Sequence, residues 1–316
     1  MRKISFVIPC YCSENTISNV VNEIITTVTG REGYSYEIIL VSDHSPDNVF
    51  HVIKELANSN SNIRGIEFAR NFGQHAALMA GYRECTGDII ISLDDDGQTP
   101  ASELFKFIDK LDEGYDVVFG AYSSIKQTKA RIWGSRINKY MMEKLIGKPK
   151  NIETNSYFAC KKYIVEEIIR YKNPYPYVGG LIFRATANIA NVEINHRNRM
   201  EGKSGYSFKK LVSLWLNGFT SFSVRPLRIA TLIGFIVAAL GFFYGIYTII
   251  HKLLNPSTPA GWSSIMSAIL FIGGTIMLIL GMIGEYIGRI YICLNNSPQY
   301  VIKDSINLEV SKNDGN

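Results

Sequence analysis

Apolar residues run through the first part of the chain in two alternating rhythms. Residues 3–9, 37–41, 63–68 and 89–92 are short, nearly continuous apolar runs, the pattern of strands buried on both faces. Between them apolar positions recur at helical spacing. Ile17, Val20, Val21, Ile24, Ile25 and Val28 precede a stop at Gly30, and residues 49–58 and 76–85 repeat the rhythm. Ser13 or Asn15 is placed to cap the first helix. A further helix begins at Ala101-Ser102-Glu103-Leu104-Phe105. This alternation predicts an α/β fold with a doubly wound, mostly parallel sheet.

The pattern changes near the end of the chain. Residues 229–250 and 265–284 hold no charged side chain, and each is long enough to cross a bilayer, which takes about 20 apolar residues. Between the sheet region and these runs, residues 207–222 place Phe208, Leu211, Leu214, Trp215 and Phe219 beside Lys209 and Lys210, the pattern of an interfacial helix. Arg225 and Arg228 precede the first span, Arg289 follows the second, and only Lys252 lies between, so both termini are expected on the cytoplasmic side. The expected division is a catalytic domain over 1–205, an interfacial helix and linker over 206–226, two transmembrane helices over 227–288, and a cytoplasmic tail over 289–316, disordered from Asp304. Glu285 and Arg289, at i and i+4, suit an ion pair.

Net charge adds little: +5 over 316 residues fits an anionic membrane face or anionic substrates and does not imply nucleic acid. The five cysteines are expected to stay reduced in the cytoplasm, and Cys10-x-Cys12 lacks the second pair of a metal site.

Candidate chemistry gathers at the strand ends. In a doubly wound sheet the carboxyl ends of strands line the ligand crevice. Here those ends carry Pro9-Cys10-Tyr11, Asp43 and Asp94-Asp95-Asp96. Alternation along a strand turns Asp94 and Asp96 to one side and Asp95 to the other. With Gln98 they offer hard oxygen ligands suited to Mg²⁺ or Mn²⁺. Three aspartates after a strand also suit a solvated turn. No Gly-x-Gly-x-x-Gly follows the first strand and no Walker-type loop occurs, so phosphates must be met through a metal rather than a glycine cradle. Beyond Gly120 the chain turns basic, with Arg131, Ser135 and Arg136 on one helix face. A second basic cluster, with Arg197, Arg199 and Lys203, occupies residues 196–206.

These motifs resemble the membrane-anchored family 2 glycosyltransferases that load a sugar onto a polyprenyl phosphate. That group includes bactoprenol glucosyltransferases, undecaprenyl-phosphate formamido-arabinose transferase and dolichyl-phosphate mannose synthase. The most specific parts are Arg70-Asn71-Phe72-Gly73-Gln74-His75, residues 87–100, Arg225-Pro226-Leu227-Arg228, and residues 284–291. The resemblance implies a nucleotide-sugar-binding GT-A domain followed by membrane helices. It implies an inverting transfer of one sugar to undecaprenyl or another polyprenyl phosphate, with a UDP-sugar favoured over a GDP-sugar as donor. The metal falls to Asp94, Asp96 and Gln98. Pro9, Tyr11, Glu14, Asp43, Arg70, Gln74 and Asp95 fall to the donor. Arg131, Ser135, Arg199 and Lys203 fall to the acceptor phosphate, and Asp94, Asp96 and Arg131 carry the reaction. A homotetramer is the assembly that relatives suggest.

The chain departs from the family pattern at several positions. Ser42-Asp43-His44-Ser45 stands for Asp-Asp-Gly-Ser, and Cys12-Ser13 for Asn-Glu, which leaves the acidic role to Glu14. Gly97 stands where Leu is common, Asn155 where Asp is usual, and Gly205 where Lys is usual. Two rivals remain: a processive synthase, whose Gln-x-x-Arg-Trp string is absent, and a scaffold that has lost its chemistry.

Overall fold

The computed structural model describes residues 1–122, 143, 148–195, 197, 225–254, 261–295 and 297–308. It divides into two compact units, Met1–Tyr206 with Asn296–Asn316, and Ser207–Asn295.

The first unit is built on an eight-stranded sheet of order β7-β5-β6-β4-β1-β2-β3-β8. Its strands are β1 (Arg2–Cys10), β2 (Tyr34–Ser42), β3 (Ile63–Phe68), β4 (Ile89–Ser92), β5 (Val117–Tyr122), β6 (Phe158–Lys161), β7 (Ile189–Ile194) and β8 (Ile302–Ile306). Helices α1 (Ile17–Thr29), α2 (Val49–Ser59) and α3 (Gln74–Arg83) connect the first four strands. A 3₁₀ turn (Ala101–Glu103) opens into α4 (Leu104–Asp112), and α5 (Lys162–Ile168) and α6 (Val178–Ala185) follow β6. Strands β3, β2, β1 and β4 pair in parallel. The expectation of a mostly parallel sheet needs correction outside them: β6 runs antiparallel to both neighbours and β8 antiparallel to β3, so the sheet is mixed.

Alternate strand residues feed two cores. Ile4, Phe6, Ile8, Ile38 and Leu40 pack with Ile17, Val21 and Ile24 of α1, Ile53 of α2 and Phe107 of α4. On the other face Ile39, Val41, Ile66 and Phe68 meet Ala76, Ala77 and Ala80 of α3. Small residues let α3 lie close to the sheet, which leaves its amino end directly above the strand ends. Each fully buried Ile or Phe contributes about 1.5–3 kcal/mol through area removed from water.

At the opposite end of β2, Glu37 is buried at 2% exposure. Its carboxylate accepts hydrogen bonds from Ser5 Oγ (2.5 Å), Thr86 N–H (2.6 Å) and Thr86 Oγ1 (2.9 Å). Lys3 Nζ lies at 2.7 Å and Arg64 Nη2 at 3.5 Å. This knot ties β1, β2, β3 and the turn before β4.

Residues 302–306, expected as tail, form β8 instead. Ile306 inserts where a side chain on Gly65 would stand: a Cβ there would lie 2.8 Å from Ile306 Cγ2 and 2.5 Å from Ile53 Cγ2. Lys54 pairs with Asp304 at 2.6 Å, and Asn307 Nδ2 donates to Ala57 O and Ile63 O. Polar side chains hid this strand in the sequence, because an edge strand needs apolar residues on one face only. The cap of α1 also differs from expectation. It is Thr16, whose hydroxyl donates to Asp95 O at 2.6 Å rather than capping the helix.

The second unit contains α7 (Arg225–Leu254) and α8 (Trp262–Leu294). Two membrane spans are expected from the sequence. Among the described residues one helix window, Phe271–Gly288, is long and apolar enough to cross a bilayer, with mean hydropathy 1.6 and none of it buried. The apolar stretch in α7, Gly234–Tyr247, is shorter. The expected interfacial helix over 207–222 lies outside the described residues.

Candidate active site

The strand order reverses between β1 and β4, which are adjacent and parallel, with Val7 opposite Ser92. This is the switch point where open α/β sheets bind ligands. It brings Pro9-Cys10-Tyr11 beside Asp94-Asp95-Asp96.

The three aspartates divide their tasks. Asp95 accepts the Tyr11 N–H at 2.8 Å, fixing the loop after β1. Burial pushes its carboxyl up to about 6, and the neighbouring Asp94 carboxylate adds to the rise. Asp94 is held on both oxygens, by Gln74 Nε2 at 3.1 Å and by a short hydrogen bond from Ser156 Oγ. Asp96 accepts the Gln98 N–H at 3.1 Å. Tyr122, at the end of β5, has its hydroxyl pushed up to about 12 by burial and then by the charges of Asp94 and Asp96. Asp94 and Asp96 thus take hydrogen bonds from Gln74, Ser156 and Gln98, while Asp95 serves the β1 loop; β4 itself ends at Ser92.

Gln98 is tied to Arg197 through the Arg197 N–H on Gln98 O (3.2 Å) and Gln98 Nε2 on Arg197 O (3.5 Å). Arg197 in turn makes two hydrogen bonds to Glu23 on α1, at 2.8 and 3.0 Å. Burial opposes the Glu23 charge, but these bonds hold its carboxyl below the ordinary value.

Asp43, at 4% exposure, accepts the Phe72 N–H (2.7 Å) and Gly73 N–H (2.8 Å), one on each oxygen. Burial raises its carboxyl pKa despite these donors. Asp43, expected at the donor, thus shapes the loop that leads into α3. Gly73 takes φ +92° there, a conformation open to glycine. Pro9 is buried, whereas Tyr11 is 51% exposed. Arg70 is exposed, with its guanidinium 4.7 Å from the Phe72 ring centroid. Glu14 turns its carboxylate to the Asn48 N–H (2.8 Å), at the start of α2. Desolvation lowers the pKa of half-buried His75 to about 4.

Arg131, Ser135, Arg199 and Lys203 lie outside the described residues. Sequence reading missed Ser156, Tyr122 and the tie between Arg197 and Glu23. Ser156 and Tyr122 flank the basic segment, and neither stands in a motif. Their roles come from β6 lying between β4 and β5.

Among the described residues, no three His, Cys, Asp or Glu side chains converge as a ready-made metal cage. Asp94 and Asp96 just beyond a strand end, with an amide side chain two residues on, instead fit a hard cation that keeps water and substrate phosphates in its shell.

Residues 5–169 match Glycosyl transferase family 2, and residues 225–290 match the GtrB C-terminal hairpin. Among solved structures, the fold is similar to glucosyl-3-phosphoglycerate synthase from Mycobacterium tuberculosis. Its complex with Mn²⁺, uridine diphosphate and phosphoglyceric acid aligns at TM-score 0.51 and 19% identity, covering 67% of this chain and 74% of that one. A second structure of that synthase aligns at TM-score 0.51 and 18% identity, covering 70% and 81%.

Proposed function

The chain belongs to glycosyl transferase family 2, and from that premise we propose that it moves a single sugar, with inversion, from a UDP-sugar to undecaprenyl or another polyprenyl phosphate. The observation that carries the reading is the placement of Asp94 and Asp96 just beyond β4 at the switch point, in a chain whose residues 225–290 match the hairpin of a polyprenyl-phosphate glucosyltransferase family. Helices α7 and α8 form the membrane anchor, with both termini cytoplasmic and the site at the bilayer, where a polyprenyl acceptor resides. The similar synthase bound to UDP and Mn²⁺ suits the same choice of nucleotide and metal.

Asp94, Asp96 and Gln98 would hold Mg²⁺ or Mn²⁺, which when bound neutralises the diphosphate of the departing nucleotide. The remaining chemistry asks little of the protein. A phosphate monoester has a second pKa near ~6, so the acceptor is largely dianionic at neutral pH and is its own nucleophile. It needs placement and relief from repulsion by the anionic donor. Arg131, Arg199 and Lys203, with Ser135, supply both through charge-assisted hydrogen bonds. Asp43, Gln74 and Arg70 shape the donor side through the loop 69–75.

Ser156 fixes the side chain of Asp94. Ser156→Ala is expected to raise the Mn²⁺ concentration for half-maximal activity about tenfold. A metal titration of the purified variant measures it, and an unchanged midpoint would leave Gln74 as sufficient support. The function itself is tested with full-length protein, radiolabelled nucleotide sugars and undecaprenyl phosphate. One sugar per lipid is expected. Many sugars would favour a processive synthase, and no turnover with any donor a scaffold.

A further inference from the structure

The function proposed above makes no use of residues 297–308, which return to the sheet after α8. Their contacts are not confined to strand pairing. The Tyr300 ring stacks on Phe68, the last residue of β3, with centroids 5.1 Å apart and planes 9° from parallel. Its hydroxyl accepts from Arg83 Nη1 at 2.7 Å, and the Arg83 guanidinium lies 5.2 Å from the ring centroid. Arg83 is the last residue of α3. One side chain thus grips both elements that flank the loop 69–73. The backbone adds to the grip, with the Ala69 N–H on Val301 O at 2.9 Å.

Contacts continue from Tyr300 into the loop. Phe68 meets Phe72 edge-on, with centroids 5.7 Å apart. Phe72 carries the Arg70 guanidinium on its ring and gives its N–H to Asp43. Gly73 gives its N–H to the other oxygen of Asp43, and Gln74, next in the chain, donates to Asp94. Packed aromatic rings resist sliding, because a small displacement forfeits close contact on both faces.

We propose that Tyr300 is a positioning residue for the donor end of the site, holding the loop 69–73 so that Arg70, Asp43 and Gln74 meet the nucleotide sugar in one arrangement. The proposal rests on the donor reading given above. It also assigns a role to a segment that follows the membrane hairpin in sequence and serves the nucleotide side of the sheet.

The test uses full-length protein in detergent. In Tyr300→Ala the KM for the nucleotide-sugar donor is expected to rise about tenfold, with kcat within about twofold and the lipid KM unchanged. Hydrogen exchange at the Phe72 and Gly73 amides is expected to quicken. Tyr300→Phe keeps the stacked ring and should recover most of the donor KM. Ile306→Ala loosens the same returning segment away from the loop and should lower stability with the donor KM unchanged. A wild-type donor KM and unaltered exchange in Tyr300→Ala would overturn the proposal, as would an equal KM rise in Ile306→Ala. Should the wild type turn over no nucleotide sugar, the fault lies with the donor reading, and exchange at Phe72 and Gly73 still decides whether Tyr300 holds the loop.

Discussion

Asp96→Ala is expected to lower sugar transfer at least about a thousandfold while the fold stays intact. The side chain is half-buried at the switch point, two residues beyond Asp94. It accepts the Gln98 N–H, which shapes the turn. Loss of the side chain removes charge from the donor end of the site. Asp96→Asn separates charge from shape, since an amide oxygen can still accept the Gln98 N–H. Both variants should fail alike if negative charge is what the site requires. Radiolabelled transfer at saturating metal measures the rate, and thermal unfolding checks the fold. Near-normal rates in either variant, with unfolding unchanged, would sink the metal reading.

Glu37→Gln is expected to cost about 3 kcal/mol of stability, the low end for breaking a buried ion pair by removing one partner. The low end applies because Lys3 and Arg64 remain 35% and 22% exposed and can turn to water. In the wild type, burial opposes the Glu37 charge, but hydrogen bonds from Lys3, Ser5 and Thr86 win and draw its pKa from 4.5 to about 2. The folded-state pKa is depressed, so the contribution is fully present above pH 4.5. It is lost as pH falls from there through about 2, an effect of about 3 kcal/mol. Urea unfolding of the wild type across that window should show the loss, and Glu37→Gln should lack this component. Parallel pH profiles for the two proteins would refute the assignment.

These two expectations differ in how far they could be seen in the sequence. Asp96 stands in a local string after an apolar run, and one strand and its following turn suffice to place it. Glu37 opens an apolar run and reads there as a strand's polar edge. Its partners are Lys3 and Ser5 on one strand, Arg64 on another and Thr86 in a turn, and only parallel pairing of β1, β2 and β3 brings them to it.

The same distinction runs through the molecule. Periodicity alone determined the helices and strands up to α4, the α/β class and the place where carboxylates would gather, because helical and strand rhythms are local consequences of side-chain direction. The family motifs were equally local. Tertiary structure decided the mixed outer sheet, the hold of Ser156 on Asp94, the tie of Arg197 to Glu23, and the return of residues 302–306 as β8. It also set the left-handed backbone of Cys12 and His44, at φ 56° and 51°, where no glycine or asparagine marks the turn. The contacts among these join residues far apart in the chain, and a contact of that kind is settled by which strands become neighbours, a choice that no short stretch of sequence encodes.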